Sequence, residues 1–269
     1  MDPVRNPYSP GAGTPPPHLA GRADLQEAFS TSIARAQIGI PVQPLVLSGR
    51  RGVGKTVLLL RWRSLATEAG WSTAHIEARS DADLRQQLGD AITDIVRQVS
   101  RRFRNQDRVE RLGRVAASFL RAAGAAVGRG GLTLGVEPER GVADSGILET
   151  DLGEILVELG HAARQVGTGA VLLIDELQDA GTTELSGLVG VCHRVNQAGV
   201  PALIVGAGLP TGGGPTRWGG AGPGHHRAGR QTWCQLCSGR GRCATSRAAT
   251  RSSSRPMPSS SGTWPSRAR

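Results

Sequence analysis

The chain has 269 residues, and its 32 basic and 22 acidic residues give it a formal net charge of +10. This charge is uneven, because residues 1–208 are neutral overall whereas residues 209–269 hold ten arginines and no acid. The sequence shows no secretory signal and no apolar run of about 18 residues, which argues against a protein with membrane-spanning helices. We therefore expect a soluble cytoplasmic protein that does not bind membranes.

Prolines mark the beginning of the chain. Six of the first 18 residues are proline, which predicts an extended arm over residues 1–18 that ends before any helix begins. Leu25, Phe29 and Ile33 then recur at helical spacing, so we expect a helix ahead of the first strand. We expect a folded domain over residues 19–208.

A short apolar run, Leu45–Ser48, predicts the first strand and leads directly into a phosphate-binding motif. Eight residues there have the P-loop spacing Gly-x-x-x-x-Gly-Lys-Thr: Gly49, Arg50, Arg51, Gly52, Val53, Gly54, Lys55 and Thr56. A helix-forming segment follows at once, to about Ala69, so the motif stands in the strand, loop and helix order that it requires.

The residue types of this loop match its chemistry. Glycine lets the backbone approach a phosphate closely, and the unpaired amides at the start of a helix favour an anion. Lys55, the only lysine in the chain, is placed to bridge the β- and γ-phosphates, and the Thr56 hydroxyl to be a ligand of Mg²⁺. Arg50 and Arg51 either add phosphate contacts or remain exposed, and exposure is favoured.

Four elements are predicted between the P-loop helix and the next informative stretch. They are a strand over Trp71–Ala78, a helix to Ser100 capped by Asp81 or Asp83, a helix over Val109–Ala123 and a helix over Asp151–Gln165. Residues 128–141 are predicted to be an insertion, in which 132–136 form a short strand or hairpin.

A second motif lies about 120 residues after the P-loop. Val171–Ile174 is a continuous apolar run, typical of a strand covered on both sides of a parallel sheet, and Asp175 and Glu176 follow it. This is the Walker B pattern. At the carboxyl edge of the sheet, Asp175 is placed to hold Mg²⁺ through water opposite Thr56, and Glu176 to orient and deprotonate an attacking water.

Two further elements complete the predicted domain, a helix over Glu184–Ala198 and a strand over Pro201–Gly206. The segments Gly21-Arg22, Gly49–Thr56, Val171–Glu176 and Pro201–Gly208 together resemble the AAA+ P-loop ATPases, in particular the origin-recognition-like group and related signal-transduction NTPases. The resemblance implies a three-layer α/β fold with a parallel sheet in the order 5-1-4-3-2. It also implies a polar sensor side chain at the end of the fourth strand, where this chain has Gly206-Ala207-Gly208.

The sequence after residue 208 departs from this resemblance. It shows no fifth strand, no helical lid and no arginine finger, so we expect the order 1-4-3-2, with strand 1 at an edge and the chain truncated or frame-shifted. Residues 209–269 lack Val, Ile, Phe and Tyr, which predicts disorder. They are either a basic tail that binds nucleic acid or membrane phosphates, or the product of a GC-rich gene read out of frame. The composition favours the second alternative.

The predicted function is that of an ATP-binding module with Mg²⁺ as cofactor. The resemblance implies hydrolysis to ADP and phosphate with Lys55 and Glu176 as catalytic residues, and the missing arginine finger makes slow turnover the expectation. The alternatives are a nucleotide-dependent switch or scaffold with little turnover and a nonfunctional fragment of a larger ATPase. A protein partner, self-association, DNA binding and a preference for GTP all remain open.

Overall fold

The computed structural model describes residues 21–102, 106–124 and 137–210 and the short segment 232–235, with backbone alone for 106–109 and 232–235. The predicted proline-rich arm, the predicted strand or hairpin at 132–136 and almost all of the tail that was expected to be disordered lie outside these residues. No helix of the described part is both long and apolar enough to cross a membrane.

Helices and strands alternate along the described chain. The helices are α1 (Ala23–Gln37), α2 (Lys55–Glu68), α3 (Leu84–Ser100), α4 (Gln106–Ala122), α5 (Leu148–Gln165) and α6 (Thr182–Ala198). The strands are β1 (Leu45–Ser48), β2 (Ser72–Glu77), β3 (Ala170–Asp175), β4 (Ala202–Gly208) and β5 (Thr232–Gln235). A single 3-10 turn, Leu177–Asp179, separates β3 from α6.

The sheet has the order β2-β3-β4-β1-β5, and its first four strands are parallel. The register pairs Glu77 with Asp175, Leu173 with Val205, and Leu47 with Ala207. This confirms the predicted α/β fold with the parallel order 1-4-3-2. Because the strands are parallel, their carboxyl ends lie at one edge of the sheet.

The prediction that β1 lies at an edge is wrong. Thr232–Gln235, within the segment expected to contribute no strand, pairs with β1 in the antiparallel sense. An edge strand presents unpaired N–H and C=O groups, and a short segment that begins with Thr and Trp has the β-propensity to pair with them. The direction of β5 also differs from the parallel fifth strand that the resemblance implied.

The sheet separates two apolar cores. Val171 and Leu173 of β3 belong to the core under α1 and α2, and Leu172 and Ile174 belong to the core under α3–α6. This alternation follows the two-residue period of a strand, and it is the three-layer arrangement expected of a continuous apolar run. In the smaller core, the rings of Phe29 and Trp62 stack with centroids 4.8 Å apart and planes 5° apart.

Two helix starts show how local hydrogen bonds set the boundaries. The carboxylate of Asp83 caps α3 by accepting a hydrogen bond of 2.8 Å from Arg85 N, whereas Asp81 pairs with Arg79. Helix α5 starts at Leu148, three residues before the predicted start at Asp151. The buried Asp151 carboxylate accepts hydrogen bonds from the backbone N–H groups of the two preceding loop residues 145 and 146, so it lies inside the first turn rather than at its beginning.

Candidate functional site

The predicted P-loop and Walker B residues lie at the same edge of the sheet. Strand β1 ends at Ser48, which pairs with Gly208 at the end of β4, and β4 pairs in turn with β3, which ends at Asp175. The loop after β1 begins against β4, because Gly49 N donates a hydrogen bond of 3.3 Å to Gly208 O. Helix α2 begins at Lys55, directly after this short loop, so its amino end lies at the same edge.

Two glycines of the loop are required by its backbone conformation. Gly52 and Gly54 have φ angles of 80° and 79°, in the left-handed region where a Cβ is unfavourable, and Gly54 is the N-cap of α2. A Cβ on Gly49 would lie 3.1 Å from Val53 Cγ2. The backbone can therefore turn tightly enough for its amides to surround a bound anion.

Lys55 lies inside this loop rather than in solvent. Its side chain is buried, and Nζ donates hydrogen bonds of 3.0 Å to Gly49 O and 3.2 Å to Arg50 O. The ammonium group therefore closes the loop from within. Thr56, the next residue of α2, is half-buried, whereas the side chains of Arg50 and Arg51 are exposed.

The carboxylates after β3 differ in their surroundings. Asp175 is only 3% exposed, and its Oδ1 accepts a hydrogen bond of 2.8 Å from Glu176 N. Within residues 21–102, 110–124 and 137–210, no ion pair compensates the Asp175 charge. Glu176 is half-buried and has a φ of 50°, a left-handed conformation that turns the chain sharply at the end of the strand.

Two side chains that the sequence analysis did not select contact these residues. The guanidinium of Arg22 donates to the carbonyl oxygens of Val53 and Gly54, the latter at 2.8 Å, and partial burial lowers the pKa of Arg22. Gln178 Nε2 donates to Glu176 Oε2 at 2.6 Å. In the sequence, Arg22 stands out only through the family resemblance, and nothing in the sequence pattern separates Gln178 from an ordinary turn residue.

His75 of β2 adds a titratable group near Asp175. Its Nε2 atom is buried and has no hydrogen-bond partner among the described residues. Burial lowers the pKa of His75 below its ordinary value of 6.5, and the Asp175 carboxylate partly opposes this shift. The imidazole is therefore neutral at pH 7.

The donor set of this edge suits a magnesium-bound triphosphate. Loop amides and the Lys55 ammonium can hold phosphate oxygens, and the Thr56 hydroxyl and the buried Asp175 carboxylate can hold a hard divalent cation. The described residues contain no cluster of three or more His, Cys, Asp or Glu side chains that could hold a metal ion alone. Mg²⁺ fits such a site, because it is commonly bound by one or two protein oxygens together with substrate phosphates.

Comparisons with known proteins agree with this architecture. A family model described as an AAA ATPase domain matches residues 18–205. A comparison with curated proteins finds no match.

Two solved structures are similar to this chain, and both are considerably longer. PCH-2 of C. elegans has 14% sequence identity and a TM-score of 0.37, and the alignment covers 70% of this chain and 37% of that one. The ORC1 protein of Aeropyrum pernix, solved in complex with DNA, has 18% identity and a TM-score of 0.37, with coverage of 73% and 41%. The match to the family model alone spans well over half of the sequence, and the chain belongs to the AAA ATPase domain family.

Proposed function

We propose that this chain binds ATP with Mg²⁺ at the carboxyl edge of its sheet and hydrolyses the ATP slowly to ADP and phosphate. The observation that carries the proposal is the joint placement of two buried charges, Lys55 inside the loop and Asp175 at the end of β3, at one edge of the sheet. Burying a charge is unfavourable unless it meets an opposite charge. A nucleotide and its metal would supply both partners.

Binding of the triphosphate exchanges hydrogen bonds at Lys55. In the structure, its ammonium group donates to two neutral carbonyl oxygens of the loop. A phosphate oxygen is a stronger acceptor because it is charged, so Nζ would turn from the loop to the β- and γ-phosphates. The loop amides and the amino end of α2 would hold the remaining oxygens.

Thr56 and Asp175 are the residues that would hold the metal, Thr56 through its hydroxyl and Asp175 through its carboxylate. When bound, Mg²⁺ neutralises charge on the phosphates. Thr56 is in the first turn of α2 and Asp175 is the last residue of β3, so both are fixed by regular backbone structure.

Glu176 is the proposed general base. It would orient a water molecule and accept its proton while the water oxygen bonds to the γ-phosphorus and the bond to the leaving ADP oxygen breaks. In related NTPases an arginine finger raises this rate by about 10³ to 10⁵. We expect the isolated chain to turn over slowly, since a partner often supplies that arginine.

A titration with a fluorescent ATP analogue and Mg²⁺ tests the binding step. Lys55→Ala should weaken binding by about 100-fold or more, since it removes the charge inside the loop. Lys55→Arg keeps the charge but not the compact ammonium geometry, and it should also bind poorly. Arg35→Ala, which removes an exposed charge from the far end of α1, should bind like the wild-type chain.

Phosphate release measured on the same proteins tests the hydrolysis step. Glu176→Gln should bind ATP and release no phosphate. If Lys55→Ala binds ATP as tightly as the wild-type chain, the proposal as a whole is contradicted. If the wild-type chain binds ATP but releases no phosphate, only the hydrolysis step is contradicted.

A nucleotide-dependent switch is the second candidate function. One observation favours it: β4 ends in Gly206-Ala207-Gly208, which provides no polar side chain to contact the γ-phosphate. In that case ATP and ADP would stabilise different conformations for a partner, and turnover would be incidental. Different hydrogen-exchange patterns with ATP and ADP, without phosphate release, would favour the switch.

We extend the proposal to two candidate partners beyond the nucleotide, nucleic acid and a second copy of the chain. The ten arginines of residues 209–269 suit nucleic-acid phosphates, and binding that weakens steeply with salt and is lost when these residues are deleted would support that interaction. Light scattering with and without ATP tests self-association. Because ATP and free Mg²⁺ occur inside cells, we expect the protein to act in the cytoplasm.

A further inference from the structure

We propose that Gln178 is a positioning residue that holds the Glu176 carboxylate and ties it to the end of β4. The inference rests on the proposed role of Glu176 in activating water. It concerns the segment where the resemblance implied a polar sensor side chain and where the chain has glycine instead.

Both ends of the Gln178 amide are occupied. Its Nε2 donates a hydrogen bond of 2.6 Å to Glu176 Oε2, and its Oε1 accepts one of 2.8 Å from the backbone N of Leu209. A carboxylate can only accept and a backbone N–H can only donate, so these two neighbours fix which way the amide points. Gln178 therefore links the residue after β3 to the residue after β4.

The backbone around Gln178 places its side chain between the two strand ends. The left-handed conformation of Glu176 reverses the chain after β3, and Asp179 N donates a hydrogen bond of 2.9 Å to Glu176 O to close the following turn. This turn brings the Gln178 side chain back over β4.

The glycine at the end of β4 leaves room for this arrangement. A Cβ on Gly208 would lie 3.1 Å from Gln178 Oε1 and 3.3 Å from Leu177 Cβ, which is tighter than about nine in ten real Cβ contacts, so the turn would have to shift by a few tenths of an ångström. The φ angle of Gly208 is not in the left-handed region, so its backbone conformation does not require glycine. A side chain at this position would therefore press against the Leu177–Gln178 turn.

The hydrogen bonds form a continuous path from the loop to the proposed base. Gly49 N contacts Gly208 O, the next residue Leu209 contacts Gln178, and Gln178 contacts Glu176. One carboxylate oxygen of Glu176 is held by Gln178, which leaves the other to accept a hydrogen bond from water. Gln178 thus sets the position of the base relative to the loop that holds the phosphates.

Steady-state ATP hydrolysis by the full chain tests this role. Gln178→Ala and the similarly sized Gln178→Met both remove the link, and each should lower kcat by about tenfold while leaving KM for ATP within about twofold of wild type. Asp179→Ala, an exposed change in the same turn, should leave both constants unchanged. Thermal unfolding of each variant identifies any that do not fold.

Two further variants separate positioning from a purely structural role. Gln178→Glu has the shape of glutamine, and only its protonated form can donate to Glu176, so its kcat relative to wild type should rise as the pH falls. Gly208→Ala should lower kcat on its own and have little further effect in the Gln178→Ala background, because both changes break the same link.

The outcomes distinguish this inference from the proposed function. Unchanged kcat in Gln178→Ala and Gln178→Met overturns the positioning role and leaves ATP hydrolysis standing. Tight ATP binding with no phosphate release by the wild-type chain also overturns it, while nucleotide binding survives. If Lys55→Ala binds ATP as tightly as the wild-type chain, the proposed function itself is overturned.

Discussion

Replacing Arg22 by alanine should weaken ATP binding, although this residue lies outside the P-loop motif. Its guanidinium donates to the carbonyl oxygens of Val53 and Gly54, the last two residues before α2. Gly54 has a left-handed backbone, and the two Arg22 hydrogen bonds help to hold the loop in this shape. Without Arg22, the bound nucleotide would have to order the loop itself, at a cost in conformational entropy.

The expected magnitude follows from the two hydrogen bonds. A hydrogen bond from a charged donor contributes about 1.5–3 kcal/mol, but Arg22 is half-exposed, and screening by solvent reduces the pair to about 1–2 kcal/mol. The Kd for ATP should therefore rise by about 5- to 30-fold. Arg22 is the N-cap of α1 and makes no side-chain capping bond, so its replacement leaves the start of that helix intact.

Fluorescence titration with an ATP analogue measures this change. Arg22→Lys should be intermediate, because a compact ammonium cannot reach both carbonyl oxygens as the planar fork of arginine does. Arg35→Ala removes the same charge from the opposite end of α1 and controls for long-range electrostatics. This role of Arg22 is refuted if Arg22→Ala binds ATP within about twofold of wild type, or if Arg35→Ala weakens ATP binding equally.

Two further predictions concern titratable side chains. Burial lowers the pKa of His75 in the folded chain, so below about pH 6.5 the unfolded chain binds a proton at this imidazole more readily than the folded chain does. Stability should therefore fall as the pH drops below 6.5. The charges of Asp175, Glu77 and Arg63 also affect the pKa of this imidazole. In His75→Asn, the fall in Tm between about pH 7.5 and 5.5 should be smaller than in the wild-type chain. Burial raises the pKa of Cys192 to about 12, so a thiol reagent at neutral pH should label this residue only in denaturant. The labelling is measured on a chain in which the three cysteines beyond residue 209 are changed to serine.

The parallel sheet could be predicted from the sequence because its strands are encoded locally. Leu45–Ser48 and Val171–Ile174 are short apolar runs bounded by loop residues, and both form strands within one residue of the expected bounds. The order of the four parallel strands came from the family resemblance, not from the residues, and the structure confirms that order. In the loop, Gly52 and Gly54 take left-handed backbone angles, whereas Gly49, the first residue of the motif, does not.

The features that sequence analysis missed depend on contacts between distant residues. Arg22 meets Val53 across 31 positions of sequence, and Gln178 meets Leu209 across the same separation. No periodicity or spacing rule connects such pairs. The pairing of β5 with β1 was missed for a related reason: four residues of modest β-propensity form a strand only where an edge is already present.

The core beneath α1 and α2 should control nucleotide binding as well as stability. The stacked rings of Phe29 and Trp62 fix α1 against α2, and α1 carries Arg22 at the same end at which α2 meets the loop. Phe29→Ala should lower the free energy of unfolding by about 3–5 kcal/mol, and it should also raise the Kd for ATP because Arg22 is no longer held against the loop. Leu112→Ala, in the opposite core on α4, is fully buried and should destabilise by about 2–5 kcal/mol without changing Kd at a temperature where both variants are folded. Equal effects of the two variants on Kd would show that general loss of stability, rather than the α1–α2 contact, governs binding.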